Sequence, residues 1–304
     1  MYEGLRSPNI HTPKNLSEYA SVIQHYPKAS LWAGGTYLMT RKDSYPSKTT
    51  NNEIIYLGEV DDLHRFLRND RMAEFGSMVT MDEILATGKT ILPKVLIENI
   101  RALGGQIVCS RVTIGGSIAT RDFRTSFPAT FAILDAMCEV KFLRKKRMHS
   151  KWVPILNVFD KAGRLNLPQN GLISKIRIGF TTKGYQIFRE AGSFMTEPEN
   201  SVSVSFACNL EEDVVSDARF AVTYPNLGFI CSRDLDNLFS SIRLPLDRVE
   251  STTFEDAIIQ NLSSALLGIS ELQKLRTRGI IKDIISDLNM KALTSPYIEQ
   301  KMTF

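Results

Sequence analysis

Two glycine pairs, each following a short apolar segment, constrain this chain more than any other feature of its sequence. The first pair, Gly34-Gly35, follows an apolar stretch that ends at Ala33, and the second, Gly115-Gly116, follows Thr113-Ile114. Because glycine lacks a Cβ, the backbone N–H groups at such a pair can turn towards an anion and approach it closely. Each pair therefore predicts a phosphate-binding loop, with a tight turn as the alternative.

Other nucleotide and metal motifs are absent from the sequence. Neither glycine pair belongs to a G-x-G-x-x-G fingerprint or to a P-loop with its lysine. The cysteines form no C-x-x-C pair and have no histidine at ligand spacing, which predicts no zinc or iron–sulfur site in this chain. The four cysteines are Cys109, Cys138, Cys208 and Cys231.

Length and composition indicate a globular chain of two ordinary domains, or of one large domain with a satellite, since it has 304 residues, 43% of them hydrophobic. No apolar run approaches the roughly 20 residues that cross a bilayer. The first six residues lack the features of a secretory signal, so we expect a cytoplasmic protein. A net charge of +4, spread along the chain, does not favour nucleic-acid binding.

One dense basic run, Arg144-Lys145-Lys146-Arg147, follows the apolar segment Val140 to Leu143. Charge runs of this kind are typical of solvated surface, so the run predicts the tip of a hairpin. A docking patch for an acidic partner is the alternative interpretation.

The N-terminal half alternates short strands with helices. Thr80 followed by Glu83 predicts a capping box at the start of a helix. Pro93 starts a predicted helix that ends at Leu103, and a further helix is predicted from about Pro128 to Met137.

The predicted elements change from short strands alternating with helices to longer strands near residues 170 to 176, where we place the domain boundary. Four longer strands follow and are predicted to form an antiparallel set: Ile173 to Phe180, Gly184 to Arg189, Val202 to Asn209 and Asp217 to Tyr224. Three helices complete the chain: Leu235 to Ser241, Phe254 to Leu267 and Ser270 to Asn289.

Together, the two loops resemble those of the FAD-binding subunit of molybdenum hydroxylases, the family of xanthine dehydrogenase and carbon monoxide dehydrogenase. Ala33 to Leu38 matches the family's Ala-Gly-Gly-Thr-Asp-Leu-type loop, and Thr113 to Ser117 matches its Thr-Ile-Gly-Gly-Asn-type loop. In that family the two loops clasp the FAD pyrophosphate. Phe75 to Ile84 is similar to the strand and helix between the loops, and Leu172 to Phe180 to the start of the C-terminal domain.

The resemblance implies an α+β fold. Residues 1–172 would form a two-subdomain FAD-binding domain of type 2 (PCMH-like), with subdomains of about 1–58 and 59–172. Residues 173–304 would form the C-terminal flavoprotein domain, a small antiparallel sheet of three strands with a helical bundle.

The resemblance also implies a set of cofactor-binding residues, with no catalytic side chain and no metal ligand. Arg189 matches a basic residue that approaches the flavin, and an exposed strand cation is the alternative. The implied FAD-binding residues are Ala33, Gly34, Gly35, Thr36, Tyr37, Leu38, Leu103, Thr113, Ile114, Gly115, Gly116, Ser117, Thr120, Ser126 and Arg189.

Departures from the family pattern cluster where the cofactor would lie. Tyr37 replaces an acidic or short polar residue, Ser117 replaces an asparagine and Ser126 replaces an aspartate. Backbone contacts survive these changes, whereas side-chain contacts are altered. Arg121, Asp122 and Arg124 fill a stretch of mostly small residues in the family; the two arginines either bind the pyrophosphate or belong to a changed surface.

The implied function is that of an FAD-binding redox subunit in a multi-subunit, xanthine dehydrogenase-like molybdenum hydroxylase. A molybdopterin subunit and a 2Fe-2S subunit would be separate chains of a hetero-oligomer, and electrons would pass through FAD to NAD or another acceptor. The first alternative is a degenerate scaffold subunit that has lost flavin, suggested by Tyr37, Ser117 and Ser126. A stand-alone flavoprotein reductase is the second.

Overall fold

The structure is a computed structural model that describes residues 8–40, 53–88, 91–120, 124–160, 163–180, 183–194, 196–240 and 242–294. The described residues form these helices: α1 (Leu16–His25), α2 (Thr36–Thr40), α3 (Met81–Gly88), α4 (Lys94–Ala102), α5 (Gln106–Cys109), α6 (Ile114–Ala119), α7 (Phe127–Ile133), α8 (Arg233–Phe239), α9 (Arg248–Ala265) and α10 (Glu271–Leu293). They form these strands: β1 (Asn9–His11), β2 (Ser30–Trp32), β3 (Glu53–Tyr56), β4 (Phe66–Arg68), β5 (Met72–Gly76), β6 (Met137–Arg144), β7 (Arg147–Pro154), β8 (Leu172–Gly179), β9 (Tyr185–Ala191), β10 (Val202–Glu211), β11 (Val214–Tyr224) and β12 (Gly228–Cys231).

Two compact units interleave along the chain. The first comprises residues 1–92, 103–120 and 135–180, and the second comprises residues 93–102, 121–134 and 181–304. The last change of unit follows Phe180, and strand β8 belongs to the first unit. The division of the domains at residue 172 stays a prediction, because family domains and compact units need not share boundaries.

The first unit contains two sheets. A parallel sheet has the strand order β1-β3-β2, and a five-stranded sheet has the order β4-β5-β8-β6-β7 with antiparallel pairing throughout. A buried apolar cluster forms a core of this unit: Tyr19, Ile23, Ile55, Leu57, Val60, Leu63, Met78 and Leu172.

Side-chain caps begin two helices of the first unit. The side chain of Asn15 accepts a hydrogen bond from Glu18 N and caps α1. Thr80 N donates to Glu83 Oε2 at 2.7 Å and Glu83 N donates to Thr80 Oγ1 at 3.3 Å, which confirms the capping box before α3.

The second unit contains a four-stranded antiparallel sheet of order β12-β11-β10-β9. Strand β10 alternates Val202, Val204 and Phe206, which belong to the main apolar cluster, with the small polar residues Ser203 and Ser205. Residues of α8, α9 and α10 complete that cluster, so the C-terminal helices cover one face of the sheet.

One sheet assignment and one helix end were predicted wrongly. The strand predicted over Ile173 to Phe180 does not join the antiparallel set of the second unit, because Ile176 pairs with Phe75 on one side and Cys138 on the other. Such pairing joins distant parts of the chain, which local patterns do not specify. The helix predicted to reach Met137 ends at Ile133, because Asp135 adopts a left-handed conformation (φ 49°) before β6 begins.

The other C-terminal strands are confirmed, with β12 as a fourth strand where the resemblance implied three. The three tail helices are also confirmed as α8, α9 and α10, which begin with side-chain caps from Ser232, Asp247 and Ser270.

In the part of the chain that is described, no helix combines the length and apolar character needed to cross a membrane. Within the same residues, no group of three or more His, Cys, Asp or Glu side chains is arranged to hold a metal ion.

Candidate flavin-binding site

The first glycine pair lies between the end of β2 and the start of α2. Gly35 has φ +73°, and a Cβ at this position would overlap the indole Nε1 of Trp32. Both the backbone conformation and the packing therefore require glycine. Ala33, Thr36 and the rest of the loop through Leu38, including Tyr37, are half-buried.

The second glycine pair lies in the first turn of α6, for which Thr113 is the N-cap. Thr113 is 3% exposed, and its Oγ1 accepts a hydrogen bond from Gly116 N at 3.1 Å. A Cβ at Gly115 would come within 2.5 Å of the Cβ of Ser77. Gly115 is thus required by close packing on the turn that follows β5.

The two loops meet within the first unit. A Cβ on Gly34 would overlap the carbonyl oxygen of Arg111 and lie 2.9 Å from its carbonyl carbon. A Cβ on Gly116 would lie 3.7 Å from the Cβ of Ala33, so the second pair also approaches the first loop. The structure therefore brings together the two segments that the sequence singled out.

Backbone N–H groups differ between the two loops. In the second loop, Ile114 N donates to Val79 O and Gly115 N to Ser77 O, both at 2.9 Å. The next two N–H groups of α6 donate to Thr113, Gly116 N to its Oγ1 and Ser117 N to its carbonyl oxygen. These four N–H groups all have partners inside the protein, so they are not free to bind a phosphate as the glycine pair predicted.

Some backbone N–H groups of the first loop, in contrast, lack such partners among the described residues. The N–H groups of Gly34, Gly35 and Thr36 donate to no acceptor among the residues that the structure describes. Further along this segment, Met39 N donates to Gly35 O at 3.0 Å. The N–H groups of Gly34, Gly35 and Thr36 are donors of the kind left at a helix start, and they are available to an anion.

Hydroxyl groups surround the second loop. Ser117 Oγ donates to Ile114 O at 2.7 Å and Thr120 Oγ1 donates to Gly116 O at 2.9 Å, so both donors are used within α6. Ser77 is 4% exposed, and its buried Oγ has no hydrogen-bond partner among the described residues. An unpaired buried hydroxyl is costly, and this one adjoins the second glycine pair.

Leu103 follows α4 in the chain and is half-buried, and the exposed Gly104 after it has φ +125°. No heavy atom lies within 4 Å of where a Cβ on Gly104 would be, so the space beside this turn is open. The cofactor contact carried over to Leu103 stays a prediction.

Two further predicted residues, Ser126 and Arg189, belong to the second unit. Ser126 Oγ donates to Asn99 Oδ1 at 2.6 Å and lies in a buried polar network. Arg189 is exposed, donates to Phe188 O at 2.9 Å and lies 3.9 Å from a carboxylate oxygen of Glu98. Their cofactor contacts stay predictions, and Arg121 and Asp122 lie outside the described residues.

Sequence reasoning missed two residues of the loop arrangement. The carbonyl of Arg111 forms the surface against which Gly34 packs, and Ser77 supplies both a carbonyl acceptor and the unpaired hydroxyl. A usable signal was the segment Phe75 to Ile84, already compared with the family's strand between the loops.

Comparison with known proteins places these loops in a family. The family described as "FAD binding domain in molybdopterin dehydrogenase" matches residues 6–180, which include both glycine pairs. No curated protein sequence matches the chain.

Solved structures share the fold over nearly the whole chain. Quinoline 2-oxidoreductase from Pseudomonas putida 86 is 18% identical, with 95% of this chain and 98% of that chain covered and a TM-score of 0.74. A reconstituted CO dehydrogenase from Oligotropha carboxidovorans is 14% identical, with 91% and 96% covered and a TM-score of 0.77.

Carbon monoxide dehydrogenase from Hydrogenophaga pseudoflava, in a form lacking the Mo-pyranopterin moiety, is 16% identical, with 92% and 95% covered and a TM-score of 0.74. These structures support the expected α+β fold with antiparallel sheets. Because the family match spans more than half of the chain, this protein belongs to the family of the FAD-binding domain in molybdopterin dehydrogenase.

Proposed function

We propose that this chain is the FAD-binding redox subunit of a multi-subunit molybdenum hydroxylase. Electrons from a substrate oxidised on a molybdopterin subunit would reach it through a 2Fe-2S subunit and leave to NAD or another acceptor. The observation that carries the proposal is the contact between two glycine loops, one with unpaired N–H groups, in a chain of this family.

The residues present fit the pyrophosphate of FAD. The N–H groups of Gly34, Gly35 and Thr36 would donate to its oxygens, and such charge-assisted bonds are stronger than neutral ones. Gly34 and Gly116 keep the loop surfaces free of side-chain bulk, and the unpaired Ser77 hydroxyl is a further candidate donor.

The chain's own contribution would be to bind and orient the cofactor. FAD, when bound, accepts electrons from one redox centre and passes them to another, and the protein tunes that chemistry. We assign no acid, base or nucleophile to this chain, because substrate hydroxylation would take place on the molybdopterin subunit.

The absorption spectrum of the purified full chain tests the proposal. After incubation with FAD and desalting, we expect retained absorption bands of oxidised flavin between about 300 and 550 nm. A folded protein that stays colourless at saturating FAD would contradict the proposal. Folding is checked independently by far-ultraviolet circular dichroism and by a cooperative unfolding transition.

A flavin-free scaffold subunit is the second candidate function. It is favoured by the second loop, whose four N–H groups from Ile114 to Ser117 already have partners inside the protein. The colourless outcome, together with assembly into a complex with the partner subunits, would support this candidate.

A dye-reduction assay with NADH on the isolated chain distinguishes a subunit from a stand-alone reductase. With FAD loaded, a subunit whose reductant is an iron–sulfur partner should reduce a dye with NADH only if NAD is its acceptor. Sustained dye reduction that is unchanged by adding the partner chains would support the stand-alone reductase. No dye reduction with NADH would leave another acceptor for the assembled complex.

A further inference from the structure

The basic run forms a tight hairpin tip, as predicted. Strands β6 and β7 pair with Arg144 opposite Arg147, and the two residues between them close the turn. Lys145 and Lys146 have φ values of 50° and 63°, the left-handed conformation of a two-residue hairpin turn. Asn-Gly suits such a turn better, so the lysines are not there for their conformational preference.

Most cations of this hairpin have no counter-ion among the described residues. Arg144, Lys145, Lys146, Arg147 and Lys151 form no ion pair with any residue that the structure describes.

The carboxylate of the hairpin, Glu139, serves other groups. It binds Lys141 and accepts hydrogen bonds from Ser150 and Ser174. Because successive side chains of a strand point to opposite faces, Lys141 and Ser150 lie on the face opposite to their neighbours Phe142 and His149.

Alternation along β7 places three basic residues on one face. Arg147, His149 and Lys151 are exposed and lie two residues apart, a spacing of about 6.6 Å along the strand. Arg144 pairs opposite Arg147, and the ring of Phe142 stacks on His149 with centroids 5.9 Å apart. We call Arg144, Arg147, His149 and Lys151 the basic hairpin face.

The outer edge of β7 has no strand partner in the described parts of the chain, because β7 ends the order β4-β5-β8-β6-β7. An edge strand presents unpaired N–H and C=O groups that an extended segment can use. Side chains of an added strand lie directly opposite those of β7 at the same two-residue repeat.

We propose that the basic hairpin face binds an acidic extended segment of a partner protein, which pairs with the free edge of β7. Carboxylates at alternate positions of that segment lie beside Arg147, His149 and Lys151. Charge complementarity and strand pairing act together, so recognition requires both acidic residues and their alternation. This inference is independent of FAD binding.

Fluorescence anisotropy of the full chain with labelled nine-residue peptides tests the proposal. The probe alternates Glu with Thr, and the matched peptide has the same composition with its Glu residues in one block. We expect the alternating peptide to bind at least about tenfold more tightly at about 0.15 M salt. Replacing the Thr residues by Pro, which has no N–H, should abolish the preference.

Charge-reversal variants locate the binding surface. Arg147→Glu with Lys151→Glu should weaken the alternating peptide by at least about tenfold. Arg248→Glu with Lys282→Glu is the matched control, since it changes two exposed cations of the second unit by the same charge. Amide exchange of β7 should slow when the alternating peptide is bound.

Several results would overturn the proposal. Equal binding of the block or proline peptide would mean ionic attraction alone, and equal weakening by the control variant would mean a non-local charge effect. If no peptide binds, the remaining role of these charges is to prevent the edge strand from aggregating with other chains. Binding of single-stranded DNA or of phosphatidylserine vesicles without peptide binding would assign the face to another class of partner.

Discussion

The Cα of Gly34 packs directly on the backbone carbonyl of Arg111, leaving no room for a side chain at position 34. This contact joins the first glycine loop to the residue that lies two positions before Thr113, the N-cap of α6. The first loop therefore packs on the backbone just before the second loop. The N–H groups of Gly34, Gly35 and Thr36, which have no acceptor among the described residues, lie in this packed first loop.

Gly34→Ala should weaken FAD binding. The added Cβ overlaps the Arg111 carbonyl, so the loops must separate, and overpacking of this kind costs about 1–3 kcal/mol, or roughly 10–100-fold in affinity. The measurement is FAD titration followed by flavin fluorescence. Gly179→Ala is the matched control, because no heavy atom lies within 4 Å of its added Cβ. Equal FAD affinity in the two variants would remove the first loop from the site.

Thr113→Val should destabilise the first unit. It keeps the side-chain shape but removes the Oγ1 that accepts from Gly116 N, and loss of an N-cap costs about 1 kcal/mol. Urea unfolding measures the loss, and Thr113→Ser, which retains the hydroxyl, should recover most of it. If the Thr113→Val and Thr113→Ser variants unfold at the same urea concentration, the cap does not stabilise α6.

Ser77→Ala should raise the unfolding free energy of the FAD-free protein. The buried Ser77 hydroxyl has no hydrogen-bond partner in the part of the chain that the structure describes, and removing such a group relieves a desolvation cost of about 1–3 kcal/mol. If the hydroxyl donates to FAD, the same variant should bind FAD about 5–10-fold more weakly. Higher stability with unchanged FAD affinity would exclude Ser77 from the cofactor site.

The two loops could be located from the sequence, but it could not be predicted which loop has N–H groups available to an anion. The glycine pairs and the Thr80 capping box are local patterns, which depend on residues a few positions apart. The contact of Gly34 with Arg111, and the bonds from Gly115 N to Ser77 O, join distant segments. For the same reason, β8 could be predicted as a strand but not assigned to its sheet.

Ser126→Ala should destabilise the second unit, because Ser126 belongs to a buried polar network. The Ser126 hydroxyl donates to Asn99 Oδ1, while Asn99 Nδ2 donates to Thr130 Oγ1, which in turn lies 2.7 Å from Ser205 Oγ. Leaving the buried Asn99 oxygen unpaired costs about 1–3 kcal/mol. Urea unfolding and FAD titration are measured together. A loss of FAD affinity at unchanged stability would instead support the cofactor contact carried over from the family.

Glu190→Gln should flatten the pH dependence of stability. Burial raises the pKa of Glu190 from 4.5 to about 7, although a backbone hydrogen bond from Phe194 acts in the opposite direction. Between these two values the unfolded chain releases a proton that the folded chain retains, so the free energy of unfolding falls as the pH rises. Below the unfolded-state pKa this contribution is fully present, and above pH 7 it has been lost.

The measurement is urea unfolding of the wild type and Glu190→Gln at pH 5 and pH 8. We expect the wild type to lose about 1–2 kcal/mol more than the variant over this range. Glu199→Gln is the control, since this exposed carboxylate lies on the surface of the same unit and its variant should follow the wild type. Parallel pH profiles for the wild type and Glu190→Gln would show that Glu190 ionises as freely in the folded chain as in the unfolded one.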